Sequence, residues 1–407
     1  MGRIVPSSKM MKRRMLLYGI MAVMLAAGLK WYFAGRVPRP LRASLVAAAA
    51  YGSDTAGFAR ATSPRPFSFP ADYGPHDDYQ TEWWYYTGNL KATTGEHFGY
   101  QLTFFRRALV APSERVARTS AWGTDQAYMA HFALTDVTGG KHYSYEKLAR
   151  GAAGLAGAQA APYRVWLDDW SVSTPDPPSL STSPDEGAPV SLHASEDGIS
   201  LTLTLRDLTG PVLQGNQGYS RKGPEPGNAS YYYSLPRITT TGTVTVGGRI
   251  YEVDGLSWMD HEFSTSALAP GQVGWDWLSL QLDDGSEVMV YQLRRADGRA
   301  DDFSSGTLIA PDGTTRTLKP SDFVLKATGQ WRSPRTGATY PSGWELTVPS
   351  AGLRLTIVPY LADQEMATSF PYWEGAVKVT GVSQGSEVVG DGYVELTGYA
   401  GSMQGQF

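Results

Sequence analysis

Gly242-Thr243-Val244-Thr245-Val246 leads through Val253 and Gly255 to Trp258 and Asp260. Later in the chain, Gly375-Ala376-Val377-Lys378-Val379 leads through Val388 and Gly390 to Tyr393 and Glu395. Both passages end with an aromatic residue two positions before an acid. Side chains two apart on a strand share a face, so Trp258 projects with Asp260, and Tyr393 with Glu395. A second echo joins Tyr100-Gln101-Leu102, near Arg106-Arg107, to Tyr291-Gln292-Leu293-Arg294-Arg295. Echoes that recur in the same order predict two similar β units in tandem.

The rest of the chain carries the same pattern. Short alternating runs, among them Phe98 to Phe105, Tyr128 to Leu134, Ser200 to Leu205, Leu278 to Leu282, Val288 to Leu293 and Leu353 to Val358, are separated by Gly, Asp and Asn turns. This spacing predicts an all-β sandwich or barrel, and helical periodicity is nearly absent. Asp168 to Pro189, dense in Pro and Ser, reads as a long loop. At 407 residues the chain has room for two units with a core each. The expected division is a signal peptide or membrane anchor over 1–37, a linker over 38–66, and β domains over 67–255 and 256–407.

Lys9, Lys12, Arg13 and Arg14 precede the uncharged apolar run from Met15 to Leu29, the order of a secretory signal. That run falls short of the ~20 residues needed to cross hydrocarbon. Continued through Lys30 to Trp31, Tyr32 and Phe33, it becomes an anchor in contact with the inner membrane. Either form predicts export, and a chain with no cysteine suits a periplasm without need of disulfides. The net charge of -4 and scattered basic residues set nucleic acid aside as a partner.

The densest chemistry lies in Trp258-Met259-Asp260-His261-Glu262-Phe263, followed by Gly274-Trp275-Asp276-Trp277. Alternation puts Trp258, Asp260 and Glu262 on one side of a strand and Met259, His261 and Phe263 on the other. Burial among rings disfavours a carboxylate and keeps the acid protonated, while ring faces stabilise positive charge. The pattern suits acid chemistry on an apolar substrate, or else a structural acid that accepts hydrogen bonds. Glu82-Trp83-Trp84-Tyr85-Tyr86 puts rings on both sides of a strand, one set for a core and the other for a cavity or a domain junction. His131 faces a polar pocket or solvent. Nucleophile-elbow, zinc-helix and phosphate-loop motifs are all missing, and the six histidines show no ligand spacing, so no metal is expected. Asp260 and Glu262, two apart on one strand, cannot flank a glycosidic bond, which makes glycan chemistry the weaker reading.

Several longer stretches carry a family resemblance. Phe69-Pro70-Ala71-Asp72-Tyr73-Gly74-Pro75-His76, Thr81-Glu82-Trp83-Trp84-Tyr85-Tyr86-Thr87-Gly88, Gln101-Leu102-Thr103-Phe104-Phe105-Arg106 and Trp258-Met259-Asp260-His261-Glu262 resemble the AttH-like and carotenoid 1,2-hydratase family of exported bacterial proteins. Tyr372-Trp373-Glu374-Gly375 and Gly392-Tyr393-Val394-Glu395-Leu396-Thr397-Gly398-Tyr399 extend the likeness, which covers nearly everything after Phe67. The resemblance implies two tandem lipocalin-like antiparallel β-barrels behind the N-terminal segment, an apolar ligand such as an isoprenoid or lipid, and no cofactor. Some members look like hydratases that add water across a terminal double bond of an acyclic carotenoid. Others are transporter-associated, so the alternative is a non-catalytic carrier of a hydrophobic metabolite working with an ABC export system. For the enzyme, the resemblance makes Asp260 the acid, with Glu262 or His261 orienting water or restoring the proton. Trp258, Trp275 and Trp277 shield the cation, and Trp84, Tyr86, His131 and Tyr393 complete the expected ligand-binding set.

Overall fold

The computed structural model describes residues 55–117, 119–174, 188–266 and 268–404. The expected signal or anchor segment, and the linker as far as residue 54, lie outside them. No described helix is long and apolar enough to cross a membrane.

Two antiparallel sheets make up the fold. The first is built from β1 (Thr81–Ala92), β2 (His97–Ala108), β3 (Gln126–Asp136), β4 (Lys141–Arg150), β5 (Ala156–Ala160), β6 (Tyr163–Leu167) and β7 (Trp170–Ser173). It continues with β8 (Val190–Glu196), β9 (Ile199–Asp207), β10 (Val212–Leu213), β11 (Tyr219–Arg221), β12 (Ala229–Val246) and β13 (Arg249–Ser264). Its order is β4-β3-β2-β1-β13-β12-β9-β8-β7-β6-β5, with β10 and β11 on the side of β12, and it curls into a nearly closed barrel.

The second sheet uses β14 (Gln272–Leu282), β15 (Glu287–Arg295), β16 (Ser305–Ile309), β17 (Thr315–Leu318) and β18 (Val324–Ala327). After the separate hairpin of β19 (Gln330–Arg332) and β20 (Thr339–Pro341) come β21 (Trp344–Val348), β22 (Leu353–Pro359), β23 (Trp373–Ser383) and β24 (Ser386–Leu396). The order β17-β16-β15-β14-β24-β23-β22-β21-β18 is that of a half-barrel.

The two orders correspond strand for strand around their centres. In each unit the last long strand returns to pair with the first, β13 on β1 and β24 on β14. The glycines of the sequence echo sit at these seams. A Cβ on Gly255 would fall 2.1 Å from the Asn89 carbonyl oxygen on β1, and one on Gly390 would fall 2.1 Å from that of Gln281 on β14. Only glycine tolerates so close a backbone approach.

Inward-facing residues such as Leu90, Phe98, Leu102, Leu203 and Val244 fill the barrel, while Leu280, Val290, Leu355 and Val379 form the core of the second sheet. A third cluster, with Tyr85, Tyr232, Trp258, Trp277, Tyr291 and Tyr393, joins the outer faces of the two sheets. Reciprocal hydrogen bonds fix that junction. Asn89 Nδ2 donates to the Gly392 carbonyl and Gln281 Nε2 to that of Ser257, each at 3.0 Å.

Two expectations need correction. Trp258 to Phe263 belongs to the first unit, because β13 closes the barrel onto β1 as far as Ser264; the changeover follows that residue instead of falling at 255/256. Within the expected loop Asp168 to Pro189, the Trp170–Ser173 segment is strand β7, with Trp170 and Val172 buried; residues 175–187 lie outside the described part.

Candidate functional site

Because β13 pairs with both β1 and β12, its outward residues meet outward residues of each neighbour. Tyr85 and Ser234 lie opposite Asp260, and Trp83 and Tyr232 lie opposite Glu262. This face forms one wall of a cavity of about 120 Å³ whose other wall is Trp275, Trp277, Tyr291, Leu293 and Glu395 from the second sheet. Phe105 and Tyr232 complete the ring lining, and Lys222, Asp260, Glu262 and Glu395 supply its charged groups.

Asp260 accepts three hydrogen bonds, from Tyr232 Oη at 2.6 Å, Ser234 Oγ at 2.5 Å and Trp258 Nε1 at 2.7 Å. None of these donors is a cation. Burial raises the pKa of Asp260 to about 7; the three donors pull the other way, and the nearby Glu262 adds to the rise. Trp277 Nε1 in turn donates to Tyr232 Oη at 3.1 Å, which ties this arrangement to the second sheet. Glu262 pairs with Lys222 at 3.1 Å, and the same ammonium lies 4.2 Å from the Tyr291 ring centre.

Glu395, at the echo position of Asp260, accepts from Trp275 Nε1 at 2.6 Å. Burial lifts its pKa to about 7 as well. Directly across the strand pair stands Glu374, which takes a 2.9 Å hydrogen bond from Tyr85 Oη and is pushed well above the usual carboxylate range by burial and by Glu395.

The expected residues divide between this cavity and other places. Asp260, Glu262, Trp275 and Trp277 line it, and Trp258 holds Asp260 without lining it. His261 projects from the other face of β13 into the barrel, bonded to Glu82 Oε1 at 2.8 Å and to Tyr233 Oη at 2.8 Å, so it does not reach the cavity that Asp260 lines. Trp84 and Tyr86 also point inward: Trp84 stacks on His261 and Tyr86 bonds Tyr163. Their neighbours Trp83 and Tyr85 take the cavity positions, because antiparallel partners share a face and Tyr85 is the partner of Asp260. His131 lies between the sheets, with Nδ1 2.8 Å from Tyr372 Oη and Nε2 3.1 Å from Glu146. Tyr393 is buried in the ring cluster beside the cavity.

Lys222, Tyr232 and Tyr291 were not foreseen in the site. The alternation Tyr231-Tyr232-Tyr233 holds the signal for Tyr232, whereas Lys222 follows a three-residue strand and no motif marks it.

Within the barrel, Glu82 collects what Asp260 lacks. Arg106 Nε donates to it at 2.8 Å, and His76 Nδ1 and His261 Nε2 lie 2.7 and 2.8 Å from Oε1. Burial favours its neutral form, but Arg106 and the two imidazoles overcome this and hold the carboxyl well below its usual range. Two of the six histidines that seemed dispersed in sequence thus converge: ligand atoms of His76, Glu82 and His261 lie within 4.8 Å of one another. Each already has a protein partner, with Asp72 on the far nitrogen of His76 and Arg106 on the second oxygen of Glu82. An ion there would have to displace those contacts.

The fold has relatives. A protein from Nitrosomonas europaea described as an AttH is 35% identical, with a TM-score of 0.72 over 84% of this chain and 100% of that one. Kievitone hydratase from Nectria haematococca matches over 85% of this chain and 97% of its own at 16% identity and a TM-score of 0.62. CghA, in a structure with Sch210972, matches over 86% and 98% at 15% identity and a TM-score of 0.52. The last two show the shared lipocalin-like fold alone. No curated protein sequence matches the chain. The AttH-like family matches residues 60–399, which takes in both sheets, and the chain belongs to that family.

Proposed function

We propose that the inter-sheet cavity binds an apolar isoprenoid and that Asp260 catalyses addition of water across a terminal alkene. One observation carries this reading: a buried carboxyl without a contacting cation, its pKa near 7, opens into a ring-lined cavity. An acid so tuned is still substantially protonated near neutrality and can release its proton. Transfer to the terminal trisubstituted alkene leaves positive charge on the tertiary carbon, where Trp83, Trp275 and Trp277 offer ring faces. The Tyr232, Ser234 and Trp258 donors then hold the carboxylate left behind, as preorganised dipoles do at a developing charge. The hydratase name of one fold neighbour is consistent with this chemistry.

Incubation with lycopene should yield a product heavier by one water, and Asp260→Asn should abolish it while the circular dichroism spectrum stays unchanged. The carrier alternative, in which the chain holds a hydrophobic metabolite for an ABC export system, is favoured by the Lys222–Glu262 pair, a fixed polar anchor within a ring-rich lining. A carrier would keep its ligand through purification, form no hydrated product and bind as well after Asp260→Asn. Mass analysis of the solvent extract and of the reaction mixture separates the two.

A further inference from the structure

Hydration needs a proton acceptor as well as a donor, and a second carboxyl at the cavity wall lets the two be different groups. Water that attacks a carbocation must lose a proton. Glu262 is occupied by Lys222, and His261 lies on the wrong face of β13. The second sheet brings one more acid to the cavity wall, at the position that repeats Asp260. We propose that Glu395 is the second reacting group of this site, the carboxylate that faces positive charge on a bound isoprenoid and takes the proton released when water adds. The proposal rests on the acid role of Asp260 set out above.

The geometry separates the two carboxyls of β23 and β24 into different tasks. Glu374 and Glu395 are cross-strand partners, and two adjacent buried carboxyls cannot both ionise cheaply. Glu374 is fully buried, does not line the cavity, and has one oxygen, Oε1, with no hydrogen-bond partner among the described residues. It keeps its proton. Of the two, Glu395 alone lines the cavity and can exchange its proton with a bound water, and the indole N–H at 2.6 Å holds the charge whenever it ionises. Trp275, which supplies that N–H, is itself part of the ring lining.

The reaction then balances. The O–H bond of Asp260 breaks as a C–H bond forms at the less substituted alkene carbon, and the π pair is consumed. The oxygen of water bonds to the tertiary cation, and one of its protons passes to Glu395. Exchange with solvent returns a proton to Asp260 and removes one from Glu395, so the net change is one water added.

A charged mimic tests this without turnover. N,N-dimethylgeranylamine, a protonated prenyl amine at neutral pH, should bind the full chain roughly tenfold tighter than geraniol, the scale expected for a cation among rings and a carboxylate. Calorimetric titration reads both. Glu395→Gln should bring the two ligands to parity, whereas Asp260→Asn should keep the preference for the amine. Equal binding of amine and alcohol by the unaltered protein, or a preference that survives Glu395→Gln, overturns the proposal. If Glu395→Gln does not fold, Trp275→Phe, which deletes the indole N–H, must weaken the preference; an unchanged preference overturns the proposal equally. Amine preference without lycopene hydration would sink the hydratase reading, and with it the proton-accepting step, while leaving Glu395 as the carboxylate that faces a bound cation; hydration without amine preference would sink the role of Glu395 alone.

Discussion

Glu82 and Asp260 are both buried acids on adjoining strands of one sheet, yet their pKa values are moved in opposite directions. Glu82 faces the barrel and meets Arg106, His76 and His261; Asp260 faces the inter-sheet cavity and meets two hydroxyls and an indole. Burial raises both pKa values, and only a cation in direct contact reverses the rise. On the proposed reading the same difference separates scaffold from reactive group, since a carboxylate locked to a guanidinium cannot give up a proton at neutral pH.

The largest effect that would break this comparison is on stability. Glu82→Gln strands the buried Arg106 guanidinium and should cost about 3–5 kcal/mol in urea unfolding, as removal of one member of a buried ion pair does. Asp260→Asn, with no cation left behind, should cost far less. A similar loss from both would mean that the two acids are equally structural.

The next effect is on pH dependence, and the two regions pull in opposite directions. Glu82 and Asp72 have lowered folded pKa values, so their contribution is present above the unfolded value of ~4 and is lost as pH falls below it. Asp260 and Glu395 are raised to about 7, so the folded state holds extra protons between the unfolded value and neutrality. Stability then falls as pH rises through that window, by at most about 1.4 kcal/mol per unit for each group. The double variant Asp260→Asn/Glu395→Gln should flatten the fall between pH 5 and 7 in urea midpoints; a slope unchanged from the parent contradicts the assignment of raised values.

The smallest test concerns the ring pairs of β1. Tyr86→Phe loses a hydrogen bond to Tyr163 worth about 1 kcal/mol of stability and should leave prenyl-ligand affinity unaltered. Trp83→Leu should weaken that affinity several-fold at comparable stability. Reversal of this split, read by calorimetry, would move the site from the cleft into the barrel.

The limits of sequence reading follow the same geometry. Parity along Trp258 to Phe263 is local, so the separation of Asp260 and Glu262 from His261 was legible from alternation alone. Which face of Glu82 to Tyr86 meets the cavity was not, because it depends on the pairing of Tyr85 with Asp260 far along the chain. That is why Trp84 and Tyr86 were expected in the site and Trp83 and Tyr85 occupy it. The internal echo marked Glu395 as the counterpart of Asp260, but only the packing of two outer faces shows that both open on one space. Strands β5 and β7, five and four residues long and rich in Ala, Gly and Ser, are too short to stand out.

The closure of β13 onto β1 also sets a schedule for the newborn chain. Thr81 meets Ser264 across 183 positions, and a ribosome adding 5–20 residues per second needs roughly 10–40 s to traverse that interval. For all that time one edge of β1, the strand that carries Trp83 and Trp84, waits for its mate. A holding chaperone would be needed most during this interval, while the second unit is still unmade.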